Sequence, residues 1–276
     1  MLDTPSQAHE ALVFEGGNER GRYVAFCLPP NSRSLTLWPP DIMCHPEAAS
    51  DIKTHLARAF EEYSAERVFV PNVGHHSGLI VPRESFDVEV ALTDRTLVRV
   101  MSAGQADGCA LGETQGFAMS TRGCALVVAS GCEHMVAAHA GLGSLVDQKR
   151  IRTGRPSRTR EGIIHAIAYD FTRKGIDLAD VSLDVLFSIH PDEFRYPLDH
   201  PEHIDFNAKL FSWLEENVGG ACVNRKMGSI DIAAIATGFA AALGFGHVST
   251  KGTLRSTDGF ALTGEARNLV GVVRRA

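Results

Sequence analysis

The sequence predicts an α+β protein, a single domain over residues 1–276 in which a mixed β-sheet is covered by helices. Between residues 67 and 140, short apolar runs are separated by turn residues, which indicates a sheet of many strands. After residue 159, three segments carry apolar residues at helical spacing. No long repeat, low-complexity tract or flexible linker divides the chain, and its length is typical of one large domain.

The elements can be placed in order along the chain. The first forty residues alternate apolar runs with Gly, Pro and Asn, which predicts strands joined by turns. A helix is expected after Pro46, and Ser229 and Gly244 are the expected cap and end of the last helix. The predicted helices span residues 46–66, 159–174, 206–217 and 229–243, and strands are predicted at 181–189, 246–250 and 268–273.

Composition excludes several classes of function. With 27 Lys+Arg against 33 Asp+Glu, the net charge of −6 argues against a dedicated nucleic-acid binder. The apolar stretch 230–245 is too short for a membrane span and contains Asp231, so no membrane contact is expected. The N-terminus lacks the pattern of a secretory signal. We therefore expect a cytoplasmic protein whose six cysteines are thiols.

The stretch from Gly116 to Ser144 carries the strongest chemical signal. If its two apolar runs form a hairpin that turns at residues 131 and 132, Cys124 and His139 face each other across the strands. Their Cβ atoms would then be about 4.5–5.5 Å apart, close enough to share a metal ion or to form a catalytic Cys/His pair. On the same pairing, His134 lies on the opposite face and is expected at the surface.

A third ligand would complete a metal site. His76 is the candidate, and its neighbour His75 competes for the same role. A Cys/His/His set with an open fourth position is typical of catalytic zinc, although a facing Cys and His are more often ordinary core residues. Asp107 and Glu113 are candidate proton-transfer groups whose distance from Cys124 the sequence leaves open.

The segment after His139 is a candidate anion site. Backbone N–H groups of Gly141 to Ser144 are suited to phosphate, and six of the twelve positions from Lys149 to Arg160 are basic. A turn followed by a solvated, mobile loop is the more common interpretation of this pattern.

Several of these segments resemble the YfiH-like, or laccase-domain, family over nearly the whole chain. FEGGNERGRYVAF resembles the family's FxxRxGGxSxGxY element, VPNVGHHSGLIV its QxHGxxV element, and GFAMSTRGCALVV and VAAHAGLGS its ADCxPVL and AAHAGWRG elements. SIHPDEFRY stands where the family has GPxIxxxxY, SIDIAAIATGFAAALGF resembles its penultimate helix, and DGFALTGEARNLVGVV resembles its C-terminal FSxRxxxxTGRxxxxI. The resemblance implies a YfiH-like, cysteine-hydrolase-like fold. It also implies His76, Cys124 and His139 as metal ligands, the same three residues that the hairpin argument selects.

The matches are partial. The family's Asp before the cysteine is Gly123 here, its Pro is Leu126, and its Trp-Arg-Gly is replaced by Leu142, Gly143 and Ser144. These positions would supply hydrogen bonds that orient ligands, or contacts to substrate. Either the substrate differs from that of the family, or the fold is kept without catalysis.

The resemblance implies a zinc-dependent purine nucleoside phosphorylase or deaminase that takes a purine nucleoside and phosphate, as a monomer or homodimer. Gly141, Gly143, Ser144 and His190 are then candidate substrate or phosphate contacts. The alternatives are a metal-free hydrolase or deamidase that uses Cys124 and His139, and an inactive binding homologue. Copper-dependent phenol oxidation, the older label of the family, is disfavoured because the matched motifs supply only two histidine ligands.

Overall fold

The computed structural model describes residues 12–18, 21–28, 60–73, 78–101, 105–156, 162–196, 198, 202–262 and 268–275. The strands in these residues are β1 Leu12–Asn18, β2 Gly21–Leu28, β3 Arg67–Val70, β4 Ile80–Val81, β5 Val88–Ala91, β6 Leu97–Val100, β7 Gly108–Leu111, β8 Gln115–Thr121, β9 Ala125–Gly131, β10 His134–Ala140, β11 Ser182–Ile189, β12 Val223–Asn224, β13 Ser229–Ile230, β14 His247–Leu254 and β15 Asn268–Arg274. The helices in the same residues are α1 Leu142–Leu145, α2 Gln148–Thr153, α3 Ile163–Arg173, α4 Ile204–Asn217 and α5 Ile232–Leu243.

The strands form two large mixed sheets and one small one. The seven-stranded sheet has the order β1-β2-β15-β8-β3-β6-β5, and the six-stranded sheet has the order β14-β11-β9-β10-β7-β4. The predicted α+β class is confirmed. The strands that we expected in one mixed sheet are divided between two. Several neighbours in each sheet are distant in the sequence, so local patterns do not reveal which strands pair.

Each face of the six-stranded sheet is covered by a different layer. Side chains of successive residues in a strand point to opposite faces. Val127 and Ala129 of β9 pack in the cluster that includes α3, α4 and α5. Leu126 and Val128 pack in a second cluster, with side chains of the seven-stranded sheet. The helices therefore cover one face, and the other sheet covers the opposite face.

The helices lie close to their predicted positions. Helix α3 falls within the predicted segment 159–174, and Gly175 after it has a left-handed φ of 75°. Helix α4 begins two residues earlier than predicted. The cap predicted for α5 is wrong: Ser229 lies in β13, and the side chain of Asp231 accepts a hydrogen bond from the Ala234 N–H at 2.9 Å. The predicted end at Gly244 is confirmed by its φ of 89°.

Two other segments differ from expectation. Of the helix predicted over 46–66, residues 46–59 lie outside the described residues, and helical structure ends at Glu62 instead of Glu66. Part of the basic segment after His139 is helical and not a loop, because the Asp147 side chain caps α2 by accepting from the Arg150 N–H at 3.0 Å.

A buried polar contact joins the two large sheets. The hydroxyl of Tyr23 on β2 donates to Oδ2 of Asp184 on β11 at 2.5 Å, and both residues are almost fully buried. Ser249 on β14 donates to the other oxygen of the same carboxylate. Burial raises the pKa of Tyr23 far above its usual value, as do the charge of Asp184 and its hydrogen bond. The tyrosine is therefore a neutral donor to a buried acceptor.

Replacing Tyr23 by Phe should lower the free energy of unfolding by about 1–3 kcal/mol, because the substitution removes a donor from a buried carboxylate. Urea denaturation measures this change. Tyr63→Phe is the matched control, since that ring stacks on Phe26 at the outer face of the seven-stranded sheet. An equal loss of stability in both variants would contradict the role of the Tyr23 hydroxyl.

Candidate functional site

One end of the six-stranded sheet collects the chemically reactive residues. Asp107 and Cys124 directly precede β7 and β9, and His139 lies near the end of β10. His190 directly follows β11, and Gly78 lies two residues before β4. The strand directions place all five residues at the same end of the sheet, because β9 is antiparallel to β10 and β11, and β7 is antiparallel to β10 and parallel to β4.

The pairing of β9 with β10 corrects the predicted register. Cys124 and His139 were expected to be directly opposite, but His139 pairs with Leu126. The turn consists of Cys132 and Glu133, with a left-handed φ of 51° at Cys132, so the register shifts by two residues. A shift of two keeps each side chain on its face of the sheet. Cys124 and His139 therefore stay on one face as diagonal neighbours.

A short turn holds Cys124 in front of β9. The Thr121 hydroxyl accepts from the Gly123 N–H and donates to the Cys124 carbonyl, both at 3.0 Å. Gly123 has φ of 111°, and a Cβ on it would lie 2.7 Å from Cβ of Ile189. In this arrangement an aspartate cannot replace Gly123 without backbone movement, which accounts for the departure from the family motif.

Gly141 lies directly against both the cysteine and the histidine. A Cβ built on Gly141 would lie 3.0 Å from Nε2 of His139 and 3.1 Å from Sγ of Cys124. It would also lie 2.9 Å from Cε1 of the same ring, so the thiol and the imidazole nitrogen approach one point that only a residue without a side chain can border.

The carboxylate of Asp107 holds the other side of the imidazole. Its Oδ1 lies 2.9 Å from Nδ1 of His139 and accepts from the Ser144 hydroxyl at 2.7 Å. Its Oδ2 accepts from the Gly78 N–H at 2.6 Å. Asp107 and Ser144 are fully buried, and His139 is 2% exposed. A proton on Nδ1 is favoured by this acceptor, so Nε2 is directed towards Cys124.

Electrostatics favour a charged imidazole at His139. Burial alone lowers the pKa of His139, but the charge of Cys124 and hydrogen bonds to Asp107 and Cys124 raise it to about 10. The pKa of Tyr196 is also raised, first by burial and then by the charge of Cys124. Tyr196 therefore lies within electrostatic range of the thiol. The sequence signal for Tyr196 was its place in the GPxIxxxxY-like segment.

Asp107 is the site residue that the sequence left undecided. It was one of two acidic candidates, and the structure brings it to His139, whereas Glu113 is exposed. Pairing of β7 with β10 creates this contact, since Ala138 is opposite Gly108.

Two of the three predicted zinc donors are brought together in the described residues. A thiol and an imidazole Nε2 converge, and a carboxylate holds Nδ1, as in many zinc-bound histidines. Within the described ranges, no group of three His, Cys, Asp or Glu residues is arranged to hold a metal ion. The predicted third ligand, His76, and its competitor His75 lie outside the described residues.

The remaining candidates have the following positions. Gly143 and Ser144 are buried in α1, and the Ser144 hydroxyl is bonded to Asp107. His190 accepts from the Asp192 N–H through Nδ1 at 3.2 Å, and its Nε2 contacts the guanidinium of Arg255. Phosphate binding by these residues stays a prediction.

The expectation for His134 was partly wrong. It lies on the opposite face from Cys124, as predicted, but it is not a simple surface residue. Its Nε2 is 2.5 Å from Oδ2 of Asp170, and its ring packs against Phe171.

Comparison with known proteins identifies the fold. No family model and no curated protein matches the chain. Among solved structures, a DUF152 protein of Neisseria meningitidis matches with a TM-score of 0.60 and 13% identity, covering 96% of this chain and 99% of that chain. Bacillus licheniformis YfiH, described as a hypothetical protein, matches with a TM-score of 0.57 and 15% identity over 91% of this chain and 92% of its own. YlmD from Geobacillus stearothermophilus matches with a TM-score of 0.57 and 15% identity over 96% of this chain and 100% of its own.

The fold and site define an α+β protein with a Cys–His–Asp cluster at one end of a sheet. Its fold is the YfiH-type fold of these neighbours, which confirms the resemblance that the sequence motifs indicated. In the described part of the chain, no helix has the length and apolar character that crossing a membrane requires.

Gly141→Ala should slow alkylation of Cys124 by iodoacetamide about tenfold or more, because the methyl group overpacks the space between Sγ and Nε2. The backbone of Gly141 tolerates alanine, since its φ is −79°. Mass spectrometry of the alkylated peptide measures the rate. Gly220→Ala is the control, because a Cβ there meets no atom within 4 Å. Unchanged Cys124 reactivity in Gly141→Ala would show that the thiol and imidazole do not converge as described.

Proposed function

We propose that this protein is a zinc-dependent enzyme that acts on purine nucleosides through His76, Cys124 and His139. The reaction is phosphorolysis of adenosine or inosine, or deamination of adenosine. The observation that carries the metal site is the convergence of Cys124 Sγ and His139 Nε2 on the space beside Gly141.

The surroundings of His139 support a ligand role. Its Nδ1 is held by Asp107, so Nε2 is the nitrogen directed towards Cys124 and would be the one to bind a metal. The other oxygen of Asp107 accepts from Gly78, which follows His76 by two positions in the sequence. The same carboxylate thus orients one predicted ligand and holds the backbone of a residue two positions after another in the sequence.

Each of the site residues has a defined task in this proposal. Cys124, His139 and His76 would hold zinc, which when bound would act as a Lewis acid on a reacting oxygen. Asp107 keeps the proton on Nδ1 of His139 and thereby fixes the orientation of the ring. Ser144 donates to the same carboxylate oxygen and limits the movement of Asp107.

The choice of purine nucleosides depends on the family resemblance. Sequence identities of 13–15% to the solved neighbours support the fold alone. The replacement of the family's Trp-Arg-Gly by Leu142, Gly143 and Ser144 changes groups that would touch substrate. Those changes make the range of accepted nucleosides the property to measure once the metal content is known.

Protein purified without an affinity tag or chelator should contain near-stoichiometric zinc, and Cys124→Ala should lose it, since the thiolate is a principal ligand. Metal content by mass spectrometry tests this. Loaded wild-type protein should then consume adenosine or inosine in the presence of phosphate.

The matched control is Cys132→Ala, which removes a partly exposed cysteine from the hairpin turn and should retain the metal. Zinc in both variants would refute the assignment of Cys124 as a ligand. A loaded protein that consumes neither nucleoside would leave the metal site standing and refute the substrate.

A metal-free thiol hydrolase or deamidase is the second candidate function. The observation that favours it is that Cys124, His139 and Asp107 already form a Cys–His–Asp arrangement within the described residues. In this function Cys124 is the nucleophile, His139 exchanges a proton with it through Nε2, and Asp107 orients the ring.

If the metal-free function is correct, iodoacetamide should label Cys124 rapidly at neutral pH, and His139→Ala should abolish the rapid phase because the thiolate loses its partner. Cys132 provides an internal reference in the same protein. Labelling of Cys124 no faster than that of Cys132, together with an absence of metal, would leave the inactive binding homologue as the remaining hypothesis.

A further inference from the structure

A cleft away from the candidate site lies between β4 and helix α3. It has a volume of about 410 Å³, which falls in the range of small-molecule pockets. One wall is formed by residues 80–84, and the other by residues of α3 and Lys174 just after it. The candidate site residues Cys124, His139 and Asp107 do not line this cleft.

The cleft combines cations from both walls with an apolar floor. Arg83 lies on the strand side, and Arg173 and Lys174 lie on the helix side. Ile80, Val81, Pro82, Ala110 and Ala166 supply apolar surface between them. The ring of Tyr169, which is 49% exposed, borders the same space.

Arg83 is held in position by its neighbours. Its Nη1 donates to Oε1 of Gln115 at 3.0 Å, and the same oxygen accepts from the Gly112 N–H at 2.8 Å. A guanidinium that is already oriented loses less conformational entropy when it binds an anion.

The negative charges at the cleft are partly compensated. Asp170 is bonded to His134 at 2.5 Å, and Glu84 is the second carboxylate in the lining. The C-terminal end of α3 contributes roughly half a negative charge, against the full charges of Arg173 and Lys174. Three cations therefore face two carboxylates, in a chain whose net charge is −6.

We propose that this cleft is a binding site for a small organic anion, with a phosphate or carboxylate group between Arg83 and Arg173 and an apolar body on the floor beside Tyr169. The site is independent of the proposed zinc chemistry. Its ligand class follows from cations on two walls and an apolar surface between them.

Phenyl phosphate and benzoate are suitable probes, and neutral benzyl alcohol is the uncharged comparison. Calorimetric titration of the full chain should show that at least one of the two anions binds and that benzyl alcohol does not. Arg83→Gln and Arg173→Gln should each weaken binding about tenfold or more, because each removes a charge-assisted hydrogen bond. Arg22→Gln, which removes an exposed cation of β2 outside the cleft, should leave the binding unchanged.

Titration of Cys124→Ala separates this site from the candidate active site. Unchanged affinity in that variant, with loss in the Arg83 and Arg173 variants, supports the cleft. The proposal is overturned if neither anion binds, if benzyl alcohol binds equally well, or if the arginine substitutions have no effect. If only Cys124→Ala lost binding, the probe would be bound in the candidate active site, and the cleft proposal would be overturned. None of these results depends on whether the protein contains zinc.

Discussion

The buried carboxylate of Asp107 is the contact on which the site depends. A buried carboxylate is tolerated only when donors compensate for its lost hydration. Asp107 receives them from the imidazole of His139, the hydroxyl of Ser144 and the N–H of Gly78. These donors come from the end of β10, from α1 and from the segment before β4. The compensation of one charge therefore requires three separate segments to dock at the start of β7.

This dependence explains how the departures from the family motifs are accommodated. Ser144 stands where the resemblance expects glycine, and its hydroxyl adds a donor to Asp107. Gly123 stands where it expects aspartate, and the turn before Cys124 is held by Thr121 instead. The hydrogen bonds around Cys124 and His139 are thus supplied by residues other than those of the motif. The substitutions alter the support of the pair and leave the pair in place.

Sequence periodicity predicted most elements because local patterns determine them. The Cys124–His139 pair was predicted from strand pairing. The predicted register was wrong by two residues, but such a shift leaves both side chains on the same face of the sheet, so the two residues are still neighbours. Local patterns could not predict the contact of Asp107 with His139, since it depends on the pairing of β7 with β10, which are about thirty residues apart in the sequence. The separation into two sheets was missed for the same reason: β15 and β2 are neighbours in space and lie at opposite ends of the sequence.

The two chemistries proposed for the site differ in what occupies Nε2 of His139. With Asp107 on Nδ1, that nitrogen either carries the proton shared with Cys124 or binds a metal, because its single lone pair cannot serve both. The pKa of about 10 favours the protonated imidazole beside Cys124 and Asp107. A bound zinc would need that nitrogen without its proton, and Cys124 with His139 would supply only two of the three protein ligands of a catalytic zinc site. The contribution of His76 therefore decides between the two functions, and the fixed geometry of Cys124, His139 and Asp107 is common to both.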